Sequence, residues 1–163
     1  MLSPRGGYGG RRWYGRAVPE TVPRLSYVVA RLDRALRREI DAQVRPHGLT
    51  ATQYTALSVL ASRSGLSNAQ LARRSYVTPQ SMSQLIGALE REKLIERSPD
   101  PDHRRILRAQ LTRKGKRVLA ECDAAVDDME RRMLRDLPAS QHEPLRTQLI
   151  ACVRGLGAGL ERP

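Results

Sequence analysis

Three helix starts, at Thr50, Ser67 and Thr78, crowd into one short stretch, and that crowding constrains the fold more than any other feature of the chain. Thr50-Ala51-Thr52-Gln53 and Ser67-Asn68-Ala69-Gln70 both have capping-box spacing, in which a hydroxyl and a glutamine side chain each satisfy an orphan backbone amide. Thr78 is a good N-cap, and Pro79 follows at the first helical position, where a missing N–H costs nothing.

The first of these helices carries Tyr54, Leu57, Leu60 and Ala61 on one face and is expected to end around Ser64-Gly65. The second, Leu71 to Arg74, holds barely two turns before Thr78-Pro79. In the third, Met82, Leu85, Ile86 and Leu89 form an inward stripe. After Leu94 the period shifts toward two: Ile95 to Ser98, a break at Pro99-Asp100-Pro101-Asp102-His103, then Arg105 to Leu111 with alternating character. That pattern predicts a two-stranded hairpin with a charged tip. Short helix, tight turn, helix and hairpin are the order of a winged helix-turn-helix, whose second helix enters a major groove.

Helices flank this motif on both sides. Leu25, Val28, Val29, Leu32, Leu36, Ile40 and Val44 share one helical face, and the helix closes near Pro46 and Gly48. Thr112 caps a helix through Val118, Leu119, Cys122, Ala125, Val126, Met129 and Met133, and a last helix carries Leu145, Leu149, Cys152, Val153, Leu156 and Leu160. The start of the last helix is open: Ser140 to Glu143 has capping-box spacing, yet Pro144 would remove an early hydrogen bond, so a start or kink near Pro138 is the alternative. The expected fold is therefore mainly α with a small β-hairpin wing, a winged helix-turn-helix plus a helical dimerisation region. The expected organisation is a flexible basic arm over 1–23, a first dimerisation helix over 24–50, the DNA-binding domain over 51–111 and C-terminal dimerisation helices over 112–163. The arm, with five glycines and three prolines, reads equally as a DNA-tracking segment or a solvated leader.

Charge names the partner class. Lys and Arg total 29 against 17 Asp and Glu, a net +12, which favours a polyanion: nucleic acid first, an anionic membrane surface second. Residues 112–163 are nearly balanced, with ten basic and eight acidic side chains. No apolar run reaches the roughly 18 to 20 residues of a membrane span, so the expected location is cytoplasmic. Cys122 and Cys152 lack the paired spacing of a zinc site, so no metal or cofactor is expected. His47, His103 and His142 are not adjacent in pattern to a nucleophile on a strained turn, so no enzyme is expected.

The outward positions of the third helix are Gln80, Ser81, Ser83, Gln84, Gly87, Ala88 and Arg91. Gln and Ser can read base edges, Gln preferring adenine, while Gly87 and Ala88 allow close backbone approach. A merely solvated face would carry Glu and Lys pairs, and the leading two turns have none. At the hairpin tip, Asp100-Pro101-Asp102-His103-Arg104-Arg105 offers an arginine for the narrow, negative minor groove and an acid to hold its guanidinium. Arg91, Arg97, Arg104, Arg105 and Arg108 are expected to face DNA.

His47 to Ala61 (HGLTATQYTALSVLA), Ser67 to Arg105 (SNAQLARRSYVTPQSMSQLIGALEREKLIERSPDPDHRR) and Leu111 to Leu119 (LTRKGKRVL) resemble the multiple-antibiotic-resistance regulator (MarR) family over roughly residues 24–158. The resemblance implies a dimeric transcription regulator, usually a repressor, whose first, fifth and sixth helices interlock with the partner. It also implies small phenolic, lipophilic or oxidising effectors that weaken DNA binding. By motif position Ser81, Ser83 and Gln84 match the base-facing turn, and Asp102 and Arg104 match the wing's anchoring acid and minor-groove arginine. His47 and Tyr54 are the candidate effector contacts.

Apolar stripes on the three outer helices exceed what the winged motif can cover, which independently points to a two-fold homodimer. Two recognition helices then meet successive major grooves about 34–36 Å apart, so the operator is expected to be an inverted repeat of double-stranded DNA. Two alternatives stay open: a redox-sensing regulator using Cys122 or Cys152, and a winged-helix protein-interaction module that never touches DNA.

Overall fold

The computed structural model describes the backbone of residues 11–13 and 16–18 and all of residues 22–157. The chain divides into two compact units, residues 1–38 and residues 39–163.

In the first unit, β1 (Arg11–Trp13) pairs antiparallel with β2 (Arg16–Val18), setting Trp13 opposite Arg16. The sequence reading expects no regular structure in this arm, and these six positions correct it; the rest of residues 1–21 lies outside the described residues. Helix α1 (Leu25–Val44) begins in this unit. Leu25, Val28, Val29 and Leu32 are all exposed on it.

The second unit holds the core. At its start, Val44 is fully buried and Arg45–His47 tighten into a 3-10 turn, closed by Gly48 in the left-handed region at φ 77°. Both capping boxes form. For α2 (Ala51–Ser62), Thr50 Oγ1 accepts from the Gln53 amide at 3.2 Å and the Thr50 amide donates to Gln53 Oε1 at 2.8 Å. For α3 (Asn68–Arg74), Ser67 and Gln70 make the same reciprocal pair. Helix α2 ends two residues before the expected Ser64, and Ala61 is exposed where the sequence pattern put it on the inner face.

A tight turn, with Tyr76 in the left-handed region at φ 55°, leads into α4 (Pro79–Arg91). Thr78 Oγ1 accepts from the Ser81 amide at 3.1 Å, as its place before Pro79 requires. The inward stripe of α4 is Met82, Ile86 and Leu89, buried against a core of Leu57, Leu60, Leu71, Ala72, Leu94 and Ile95. With no Phe in the chain, the largest fully buried side chains among the described residues are aliphatic or Met, joined by Asp100 and Cys122.

The sheet has three strands where the sequence predicted two. β4 (Ile95–Pro99) and β5 (Leu107–Leu111) form the wing, and β3 (Leu66–Ser67), too short for a periodicity to show, adds to the other edge of β5 through Leu66↔Ala109 and Ser67↔Arg108. Arg105 and Ile106 were expected in the second strand; they belong to the tip, because the Ile106 amide donates to the His103 carbonyl at 2.7 Å.

Helix α5 (Arg113–Leu134) starts where Thr112 Oγ1 accepts the Gly115 amide at 3.0 Å. Helix α6 (Ala139–Gly155) starts after Pro138 with no side-chain cap and runs through Pro144. Of the two starts left open, the one near Pro138 is observed. Helix α6 buries none of its residues within the chain, and Leu149, Cys152 and Leu156 are exposed.

Candidate nucleic-acid interface

The leading face of α4 is open. Gln80, Ser81, Ser83, Gln84 and Arg91 are exposed, and the Gln80 and Gln84 amides have no hydrogen-bond partner among the described residues. They retain their full donor and acceptor capacity for a base edge. The serines are committed differently. Thr78 Oγ1 donates to Ser81 Oγ at 2.9 Å, leaving Ser81 its own proton. Ser83 Oγ donates to the Pro79 carbonyl at 3.0 Å and accepts from Asn68 Nδ2 at 3.1 Å. Ser83 therefore has no free donor, and it fastens the start of α3 to the start of α4.

Asn68 is a residue the sequence reading missed. Its Nδ2 also reaches the Pro79 carbonyl at 3.2 Å, so one side chain ties both serine and proline of the recognition helix to its neighbour. At Gly87, where close backbone approach is expected, Arg91 Nη1 lies 3.6 Å from where a Cβ would stand, so the guanidinium borders that space at ordinary contact distance.

Two of the five arginines expected to face DNA are turned to protein. Arg97 grips Glu90 through Nε at 2.8 Å and Nη2 at 2.5 Å, a two-pronged bond between β4 and the end of α4. That contact holds the Arg97 guanidinium in its charged form, above its usual range. Arg108 bonds through Nε to Asp100, and its Nη1 donates to the Gly65 carbonyl at 2.8 Å. The buried acid of the wing is thus Asp100, at 2% exposure, and its guanidinium partner is Arg108. Asp102 is exposed and makes no ion pair with Arg104.

Asp100 Oδ1 also accepts from the amides of Asp102 (2.9 Å) and His103 (2.8 Å). The His103 amide, opposed by desolvation and joined by Arg108 and the Asp102 amide, holds this carboxyl below its usual range. The pattern Pro-Asp-Pro-Asp carries the signal of such a turn, since Asp bonds backbone amides two and three residues on. Arg104 and Arg105 remain exposed at the tip, and Arg105 also lines a groove of about 440 Å³ with Ser67, Asn68, Arg97 and Leu107, between the start of α3 and the wing.

His47 and Tyr54 both turn to α5. His47 Nδ1 lies 3.3 Å from Glu121 Oε2, and the Tyr54 hydroxyl donates to Asp123 Oδ1 at 2.8 Å. Partial burial, then the bond to Asp123, push the Tyr54 hydroxyl above its usual range. Between these carboxylates, Cys122 is buried, and desolvation followed by the charges of Asp123 and Glu121 pushes its thiol up to about 11. Such a thiol stays protonated and unreactive at neutral pH.

Among the described residues no cluster of three or more His, Cys, Asp or Glu could hold a metal, and no helix is long and apolar enough to cross a membrane. A helix-turn-helix with an open polar leading face, beside a wing with exposed arginines at its tip, defines a winged-helix DNA-binding protein. Comparison with known proteins narrows the class. The sequence profile of the MarR family matches residues 47–106. The HTH-type transcriptional repressor Rv2887 of Mycobacterium tuberculosis is 34% identical over 125 residues, 77% of this chain and 90% of the repressor. Its solved complex with DNA superposes with a TM-score of 0.68 at 30% identity, covering 80% of this chain and 98% of that one. The same repressor in complex with p-aminosalicylic acid gives 0.67 at 32% identity, with the same two coverages of 80% and 98%. The transcriptional repressor CouR, bound to a 23-mer DNA duplex, gives 0.73 at 25% identity, covering 79% of this chain and 92% of its own. The chain belongs to the MarR family and is a DNA-binding transcription regulator.

Proposed function

We propose that the chain acts in the cytoplasm as a homodimeric repressor. Its two α4 helices read an inverted-repeat operator, its two wings grip the minor groove with Arg104 and Arg105, and a small aromatic or lipophilic effector releases it. One observation carries the reading: Gln80 and Gln84 stand exposed and unpartnered on the leading face of the helix that follows the tight turn.

The two-fold arrangement rests on apolar surface. Helix α1 leaves Leu25, Val28, Val29 and Leu32 exposed, and Leu149 on α6 and Leu156 just after it are exposed too. Open stripes of this kind call for a partner, and a second copy is the simplest one. The charge balance of residues 112–163 lets two copies meet there without strong repulsion.

Effector release fits the position of His47 and Tyr54. Both bond to carboxylates on α5, so a ligand with an acid or phenol group seated beside them competes for those bonds and shifts α5 against α2. The complex of Rv2887 with p-aminosalicylic acid supports this class of ligand. Burial of Cys122 argues against a redox switch at that thiol. The reading calls for no cofactor, metal or catalytic step.

Selection from a random duplex pool with the full chain, followed by sequencing, tests it. The expected product is an inverted repeat with half-site centres about 10–10.5 base pairs, or a multiple, apart. A pool with no enriched motif after repeated rounds contradicts the reading.

A further inference from the structure

We propose that Asp100, Arg108 and the Gly65 carbonyl form a latch, buried at its Asp100 end, that sets the direction of the wing tip, making Asp100 a positioning residue for DNA binding although it does not face DNA. The proposal rests on the DNA-binding reading above.

The chain of contacts is continuous. One oxygen of Asp100 gathers the amides of Asp102 at 2.9 Å and His103 at 2.8 Å; the other takes the Arg108 guanidinium. The Asp100 amide donates to the Ile106 carbonyl at 2.8 Å, and the Ile106 amide donates to the His103 carbonyl at 2.7 Å. The tip from 100 to 106 is therefore wound around one carboxylate. From there Arg108 Nη1 reaches the Gly65 carbonyl at 2.8 Å, while the Gly65 amide donates to the Ala109 carbonyl at 3.0 Å. The latch thus ends in the turn between α2 and β3, outside the wing itself.

Three features mark this as more than ordinary packing. Asp100 and Ser75 are the buried polar side chains among the described residues, and Asp100 is the ionisable one. Asp100 is a buried carboxylate whose guanidinium partner stays half-exposed, and a buried polar group of this kind is better attested as fixing one geometry among several than as a source of stability. Finally, the latch touches none of Gln80, Ser81, Ser83 or Gln84; the wing is tied to α4 elsewhere, through Arg97 and Glu90 at the far end of that helix. Arg104 and Arg105 sit on the loop whose path Asp100 dictates. A loop freed from the carboxylate leaves these arginines attached but undirected, and groove insertion then has to pay their ordering entropy.

The test uses the full chain and two duplexes with identical selected half-sites, one with A·T-rich and one with G·C-rich flanks. Equilibrium binding is followed by fluorescence anisotropy for wild type, Asp100→Asn, Arg104→Ala and the double variant. Asn keeps the shape and an acceptor for the two amides but loses the ion pair. Asp100→Asn is expected to weaken binding to the A·T-flanked duplex about tenfold, a coupling normal for networked charges. It is expected to reduce flank discrimination to the level of Arg104→Ala, and to add nothing in the double variant. Preference among half-site bases stays as in wild type, an outcome that general loss of structure does not give. Unchanged flank discrimination, or full additivity with Arg104→Ala, overturns the latch. If Asp100→Asn does not fold, Arg108→Lys replaces it: the charge stays but one amine cannot serve both Asp100 and Gly65, so the same loss of discrimination is expected, and its absence overturns the proposal. A wild-type chain that binds neither duplex overturns the DNA-binding reading first, and is thereby distinct from failure of the latch.

Discussion

Adding one methyl group at Gly115 sets helix propensity against packing, and the two predict opposite signs. Gly115 lies in the first turn of α5, buried against the chain that leaves α4. A Cβ built there stands 1.9 Å from the Leu94 carbonyl oxygen, 2.9 Å from its carbon and 3.3 Å from its Cα, all backbone atoms. The two segments have to open by about 1 Å to reach the 3.0 Å below which real Cβ contacts essentially never fall. That carbonyl is not free to move, because it accepts the Thr112 amide at 3.0 Å, the Thr112 hydroxyl donates to the adjoining Lys93 carbonyl at 2.7 Å, and the Leu94 amide is itself held by the Leu89 carbonyl at 2.9 Å. Propensity alone favours Ala over Gly in a helix by about 1 kcal/mol. Against this, overpacking a rigid site costs about 1–3 kcal/mol, and a disturbed Thr112 cap adds about 1 kcal/mol. The net expectation for Gly115→Ala is a destabilisation of about 1–3 kcal/mol. Urea denaturation of both proteins at one protomer concentration reads it, as a lower midpoint at an unchanged slope. A variant more stable than wild type by about 1 kcal/mol would refute the packing argument.

Other expectations separate the roles of single residues. Gln84→Ala is expected to relax preference at one base pair by about 1–3 kcal/mol, whereas Arg104→Ala weakens binding most on A·T-rich flanks; a uniform loss on all sequences from both variants contradicts the division. Cys122, with its thiol pushed up to about 11, is expected to react with a thiol reagent at pH 7 far more slowly in the folded protein than in urea; equal rates contradict its burial. Asp100 has a depressed folded-state value, so its contribution is present above the unfolded value of about 3.9 and is lost as pH falls through the lower, folded one. The loss of stability on acidification below about pH 4 is therefore expected to be shallower in Asp100→Asn than in wild type, and identical profiles would exclude the depressed value.

What the sequence disclosed follows from distance along the chain. The caps at Thr50, Ser67, Thr78 and Thr112 are bonds spanning three residues, written in adjacent letters, and all four form as read. The polar face of α4 was equally legible, because helical period alone separates Gln80 and Gln84 from Met82 and Ile86. The bonds that decide which polar residue is free are longer. Asn68 reaches Ser83 across 15 positions, Arg108 reaches Gly65 across 43 and Tyr54 reaches Asp123 across 69, and no local pattern announces them. Arg108 and Arg97 look like DNA-facing cations in sequence because their partners lie elsewhere in the fold. Asp100 and Asp102 are alike in composition and neighbourhood; only the path of the tip decides that the first is buried. The strand β3 escaped for a related reason, since two residues carry no period, and its pairing is set by the return of β5.

The claim on which the rest depends is that this chain grips a DNA backbone and reads a particular sequence on it. Equilibrium anisotropy on the selected inverted repeat and on a scrambled duplex, each at about 50 and 200 mM salt, tests it most directly. A dimer that neutralises about 6–10 phosphates is predicted to lose roughly 10³- to 10⁵-fold in affinity over that range, while preferring the repeat by at least about 10³-fold at the higher salt. Affinity independent of salt, or equal for the two duplexes, contradicts the account.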